Sequence, residues 1–243
     1  MFSAAQRAYL HATRHPWPCL LFLVPLLAAY EGGVLWLGGP DDSLRNGADA
    51  WIRLGLETLG VQFSYLAPLL LALVFLGWSW AWRTNKPGDL LGVVAGMAIE
   101  SIVFALGLWA VCRASLPVLE GMGVVLAAPP FSHEAAGRVV TFLGAGIYEE
   151  ALFRLLILGG LAWLLRLVGV PGAAAGATAV IASAALFAAA HHVGPFGEPF
   201  HAGRFIFRFL AGLYFALLYQ FRGFGVAAGA HACYDVMVGL AVS

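Results

Sequence analysis

Charge is what this sequence has least of. Its 243 residues include 13 Lys or Arg and 13 Asp or Glu, so 11% are charged and the formal net charge is zero. A soluble domain carries about 25% charged and about 45–50% apolar residues, whereas 61% are hydrophobic here. With no basic excess there is no electrostatic footprint for nucleic acid, so no such partner is expected. Cysteine is scarce too. Cys19, Cys112 and Cys233 are odd in number, far apart and in or beside apolar runs. They make neither a disulfide framework nor a Cys-x-x-Cys metal site. His-Glu-x-x-His, the helical zinc-protease motif, is also absent.

Long apolar runs are what the chain has instead. Mean hydropathy is +0.86, and seven segments approach the roughly 20 apolar residues that a bilayer span needs. They are 17–37, 63–82, 89–112, 139–167, 173–193, 205–221 and 224–242. The expected fold is all-α: a polytopic membrane helix bundle of about seven transmembrane helices, with the lipid bilayer as its solvent. The first run follows Arg7, His11, Arg14 and His15 like the basic region of a signal peptide. It is long, however, and no small-x-small cleavage site follows, so it reads as a retained first span.

Segment 46–59 alternates Trp51, Ile52, Leu54, Leu56 and Leu59 with Asp49, Arg53 and Glu57. That pattern predicts a helix lying in the membrane interface. Segment 113–138, with Pro129-Pro130, reads as an interfacial or lid-like connection. Gly172 and Gly176 are spaced small-xxx-small, which predicts close backbone packing and a central place for the fifth span. The expected organisation is one integrated membrane domain. Residues 1–136 supply about three spans and the interfacial helix, and 137–243 form a four-helix core. Lys and Arg are spread over both sets of connections, so the positive-inside signal is weak.

The polar residues inside these runs carry the functional signal. An ionised group at bilayer depth costs about 2.5–3.5 kcal/mol on insertion scales. Glu149, Glu150 and Arg154 fall within six residues of the fourth span. Glu150 and Arg154 are i,i+4 and share a face, so they can pair. Glu149 is rotated about 100° from Glu150 and is free to face another helix. Either both acids are structural or Glu149 is reactive. His231 and Asp235 are i,i+4 on the last span, as a packing pair or part of a site. Phe187 and His191 share that spacing on the fifth span, whereas His192 reads as an interfacial residue. Glu31 and Glu100 lack a local motif and are expected to line packing or a cavity. At 1.5 Å per residue, Glu149 lies about 15 Å and Asp235 about 12 Å from one face, with His231 a turn deeper. Those three can converge at mid-depth. His191 is expected to join them only if the fifth span runs a turn past Val193 or folds inward.

Glu149-Glu150-x-x-x-Arg154, Phe187-x-x-x-His191 and His231-x-x-x-Asp235 together resemble the signature of the CAAX-protease and bacteriocin-processing family. The run from Gly212 to Tyr219 is similar to that family's third region, and the resemblance covers about 137–243. It implies an intramembrane endopeptidase in which Glu149 activates a water with help from His191. His231 and Asp235 would stabilise the oxyanion, while Glu150, Arg154 and Phe187 would support the site. The substrate it implies is a membrane-anchored protein or peptide cleaved near a prenylated C-terminus, a sorting signal or a leader. The expected location is the bacterial inner (plasma) membrane. Asp235 departs from the Asn of prenyl-processing members, and an ionised Asp cannot donate to an oxyanion. No cofactor is expected, although Glu149, His191 and His231 would be the ligands of a zinc ion. A non-catalytic immunity protein of the same fold and a proton-coupled transporter are the competing readings. The complete motif set argues against the first, and the lack of paired broken helices argues against the second.

Overall fold

The computed structural model describes residues 3–38, 44–60, 65–83, 87–121, 135–194 and 197–241, and no strand occurs among them. Each expected span becomes a helical rod. Helix α1 (Ala4–Ala12) starts with a reciprocal cap between Ser3 and Gln6. Helix α2 (Pro16–Leu37) begins on a proline, where a missing N–H costs nothing. Its N-cap His15 accepts from the Trp17 N–H at Nδ1 and donates from Nε2 to the Trp82 carbonyl at 3.1 Å. Trp82 closes helix α4 (Leu66–Ala81), so α2 starts where α4 ends. Helix α3 (Gly47–Thr58) fills the predicted amphipathic segment.

Helix α5 (Leu90–Gly121) is longer than its expected span. The first part of the predicted lid is its continuation, because Arg113 and Ala114 are good helix formers despite the weak periodicity of that stretch. Residues 122–134 of that lid lie outside the described residues.

The fourth span is a continuous rod over 135–167, but not a regular one. Helix α6 (Ala135–Gly144) leads into π-helical turns at Ala145–Glu149 and Ala151–Leu158, then into α7 (Gly159–Leu167). Wide turns of this kind cluster at functional sites, and Glu149, Glu150 and Arg154 all fall in or between them. Helices α8 (Gly172–Ala190), α9 (Ala202–Arg222) and α10 (Phe224–Ala241) complete the bundle. The helices α2, α5, α8 and α9 are long and apolar enough to cross a membrane on their own. Helix α4 and most of α10 are shorter apolar helices.

The centre of the bundle is α10 rather than α8. Val226, Ala227, Ala228 and Ala230 are fully buried, and α10 packs on α2, α5, α6, α9 and the first π turns. In α8 the inward row is Ala175, Ala179, Ser183 and Phe187, while Gly172 faces out and a β-carbon on Gly176 would meet nothing within 4 Å. Small residues cover α10 on several sides, so many backbones approach it. Those of α8 form one stripe.

Gly146 is where the closest approach matters. A β-carbon there would stand 2.6 Å from the Ala228 carbonyl oxygen and 2.7 Å from the Ala232 nitrogen. Backbone cannot swing aside as a side chain can. Gly146→Ala is therefore expected to destabilise the protein by about 1–3 kcal/mol. Gly176→Ala, on an open face, is expected to be neutral or stabilising by up to about 1 kcal/mol. Thermal unfolding of both variants in detergent checks the contrast. Equal melting temperatures would contradict this packing.

Candidate active site

Glu150 and Arg154 are both fully buried, with Arg154 Nε 3.1 Å from Glu150 Oε2. The guanidinium is held on other sides as well. Its Nη2 donates to the Gly212 carbonyl on α9 at 3.1 Å. Its carbon lies 4.7 Å from the Phe187 ring centre and 6.0 Å from that of Phe215. Gly212 lets α9 come close here, since a β-carbon would crowd Ala184 and Phe187 at 3.2 Å. Ser183 donates to the Phe153 carbonyl at 2.7 Å and ties α8 to the rod. One arginine thus organises the rod, α8 and α9 around itself.

Glu150 has a second partner that the i,i+4 spacing does not reveal. His231 Nδ1 donates to Glu150 Oε1 at 2.8 Å. The imidazole stacks on Phe215 at 4.4 Å and 12° between planes, and Phe187 meets it edge-on at 5.9 Å. With Nδ1 fixed and both flanks packed, the ring has one orientation. Its Nε2 points to Glu149 Oε2 at 3.8 Å and Asp235 Oδ2 at 3.5 Å.

His191 reaches the same place from the end of α8. Its Nδ1 donates to the Phe187 carbonyl at 2.8 Å, in the last turn, where the carbonyls of an ending helix need partners. That leaves Nε2 facing Glu149 Oε2 at 3.9 Å. The expected extra turn beyond Val193 is not needed, and α8 in fact stops at Ala190. The rod and α8 form a hairpin through Val168–Pro171. Glu149 lies 18 residues before Leu167 and His191 lies 19 after Gly172, so both are about equally far from the shared turn. Depth counted from that turn would have found His191.

Glu149, His191, His231 and Asp235 therefore meet at the end of the bundle opposite α1, beside α3. Glu149 Oε1 accepts from Asn46 Nδ2 at 2.9 Å, a partner that sequence reasoning missed. The signal was present, because Asn46 begins the predicted α3 and is a strong N-cap residue. Glu31 also belongs to this end: it accepts from Tyr148 at 2.8 Å and pairs with Arg45 and Arg53. Glu100 does not. It binds Arg222 through both carboxylate oxygens at 2.6–2.9 Å at the other end of the bundle.

The loop after α8 is braced by Glu198, which bridges Arg204 at 2.9 Å and Arg208 at 2.7 Å. Burial alone would raise the Glu198 carboxyl, but the Arg208 hydrogen bond and the charges of Arg208 and Arg204 hold it below its ordinary value. The Glu198 N–H donates to the His191 carbonyl at 2.8 Å, which fixes the turn after α8. His192 turns into this loop, against Phe200 and Phe205, and stays out of the cluster. Among the described residues, no three His, Cys, Asp or Glu are grouped so that they could hold a metal ion.

Residues 131–237 match the family described as type II CAAX prenyl endopeptidase Rce1-like. All four clustered residues and the Glu150–Arg154 pair lie within that stretch. Over that stretch, less than half of its length, the chain is similar to the CAAX protease family. Neither curated proteins nor solved structures provide a match. The similarity supports, at the general level, a membrane-embedded protease. Asn46 and Glu31 sit outside the matched stretch, so the end of the bundle that holds this cluster is built from both halves of the chain.

Removing this arginine leaves Glu150 charged, buried and facing only His231. Breaking such a pair costs about 3–5 kcal/mol. Arg154→Ala is expected to lower the melting temperature sharply and to reduce membrane accumulation. A variant with wild-type melting behaviour would show that Arg154 does not carry the packing of α8 and α9.

Proposed function

We propose that the protein is an intramembrane endopeptidase in which Glu149 is the general base for a water. One observation carries the reading. Glu149 Oε2 lies 3.8–3.9 Å from the Nε2 atoms of two histidines that are anchored separately on different elements. These separations are too long for direct hydrogen bonds and suit a water at roughly 2.8 Å from its neighbours. Glu149 takes a proton from that water as its oxygen bonds to the scissile carbonyl carbon. His191, held through Nδ1, supports the water at Nε2. The carbonyl becomes an oxyanion. When the C–N bond breaks, the proton on Glu149 passes to the leaving nitrogen.

His231 is the donor for the oxyanion. Its Nδ1 hydrogen is committed to Glu150, and its Nε2 faces only carboxylate acceptors. Preorganised donors of this kind contribute about 2.7–4 kcal/mol each. Asp235 aligns the Nε2 side of that ring, which is how an Asp serves where other members carry Asn. We prefer a water reaction to a zinc one because the chain carries no His-Glu-x-x-His and the candidate ligands Glu149, His191 and His231 come from three separate helical elements. The substrate is a membrane-anchored protein cut near a C-terminal or leader segment that reaches the bundle end beside α3. A bacterial inner membrane suits the chain.

Cleavage of a fluorogenic prenylated CAAX peptide by the purified full-length protein tests this. Glu149→Gln is expected to fold normally and lose at least about a hundredfold of activity, and chelators are expected to leave the wild type active. Residual cleavage above a few per cent of wild type in Glu149→Gln would sink the assignment of the base. Activity that tracks bound zinc would replace the water mechanism with a metal one.

Asp235 separates alignment from donation. Asp235→Asn is expected to keep activity within about tenfold, since the amide still fills the space beside His231. Asp235→Ala is expected to lose roughly 10²–10³-fold. If Asp235→Ala cleaves like the wild type, Asp235 lies outside the reaction.

A further inference from the structure

We infer that Asn46, on the α3 side of the bundle, is a positioning residue for Glu149 and that the N-terminal half thereby completes the active site. The inference rests on Glu149 as the base and extends it to a residue outside the matched family stretch.

The orientation of the Asn46 amide is fixed by its own helix. Its Oδ1 accepts from the Ala48 N–H at 2.8 Å as the N-cap of α3. Nδ2, the donor end, is then the atom directed at Glu149 Oε1, 2.9 Å away and buried. A carboxylate held through Oε1 presents Oε2 in one direction, and that direction is toward His191 and His231. The cap of α3 and the aim of Glu149 are thus two ends of one planar group.

The position of Asn46 is itself clamped. Its backbone N–H donates to the Tyr30 hydroxyl at 3.1 Å, and that hydroxyl donates to Asp49 Oδ2 at 2.8 Å. Asp49 is fully buried and bridges Arg45 and Arg53 at 2.9 and 2.7 Å. Arg53 also pairs with Glu31 at 3.3 Å, and Glu31 accepts from Tyr148, the residue before Glu149. The contacts close a ring that runs from Glu149 through Asn46, Tyr30, Asp49, Arg53 and Glu31 back to Tyr148. A purely capping asparagine would need none of it.

Variants of the full-length protein separate positioning from capping. Asn46→Ser keeps a cap oxygen but is too short to reach Glu149. It is expected to melt within a few degrees of wild type. On the prenylated CAAX peptide, kcat should fall about 10–100-fold with KM unchanged, the signature of a misaimed base. Asn46→Asp keeps the cap but turns an acceptor on an acceptor, and should lower the melting temperature by roughly 5 °C. In the double variant Asn46→Asp/Glu149→Gln the bond is reversed, with the introduced amide donating to the introduced carboxylate. Its melting temperature should recover although activity does not. Wild-type kcat in Asn46→Ser, or a double variant as unstable as Asn46→Asp, overturns the inference. Cleavage by Glu149→Gln, or a wild type inert on the peptide, would instead remove the base assignment, while the thermal cycle still decides whether Asn46 holds Glu149.

Discussion

A guanidinium with no exposure to solvent has to be held by charge, acceptor and ring faces inside the protein, and Arg154 is held by three elements at once. Glu150 supplies the charge, Gly212 a carbonyl, and Phe187 and Phe215 two ring faces. Helices in lipid gain little from burying apolar surface against one another. A buried charge that only one arrangement satisfies is therefore a strong determinant of how α8 and α9 sit on the rod. Phe187 and Phe215 then serve twice, since the same rings flank His231. The packing around Arg154 sets the orientation of that histidine.

Two adjacent glutamates have separate fates because neighbouring positions on a helix face different elements. Glu150 looks inward to Arg154 and His231 and has no exposure. Glu149 looks along the rod toward the bundle end, where α3, His191 and Asp235 meet it. In the first, both oxygens are occupied by close partners. The second keeps one oxygen without a short contact. Glu150 has a close charged or hydrogen-bonding neighbour at each oxygen, whereas Glu149 has one only at Oε1. On the proposed mechanism the pair divides a structural from a reactive role because neighbouring positions on the rod face different elements.

The matched stretch and the rest of the chain divide the site unequally. The cluster that faces the proposed water comes from residues within 131–237. Its outer wall, with Asn46, Glu31, Asp49 and the two arginines, comes from α2, α3 and the residues just before α3. That wall is polar because it lies where a span ends, and its ion pairs are screened from water on most sides. The amphipathic pattern that predicted an interfacial helix is real in α3. Part of its polar face, however, is turned inward, with Asp49 on Tyr30 and Arg53 on the Glu31 that Tyr148 holds, rather than left to the headgroups.

Local rules made a large part of this protein readable from sequence. Apolar run length set the helical rods, and i,i+4 spacing set the Glu150–Arg154 and His231–Asp235 pairs, because both are properties of a single helix. The same rules mislaid what depends on several helices. Spacing gave Glu150 one partner, and the fold added His231. Counting depth from the membrane face left His191 short, while the hairpin through Val168–Pro171 puts it level with Glu149. Two glycines pointed to α8 as the central helix, yet the bundle centres on α10, whose small residues lie on several faces. Asn46 was legible only as the start of a helix. Its bond to a residue 103 positions away depends on how α3 folds back over the rod, which no local pattern encodes. Composition and periodicity determined which residues had to avoid lipid, and tertiary packing decided which of them face one another, because a helix fixes directions only relative to its own axis.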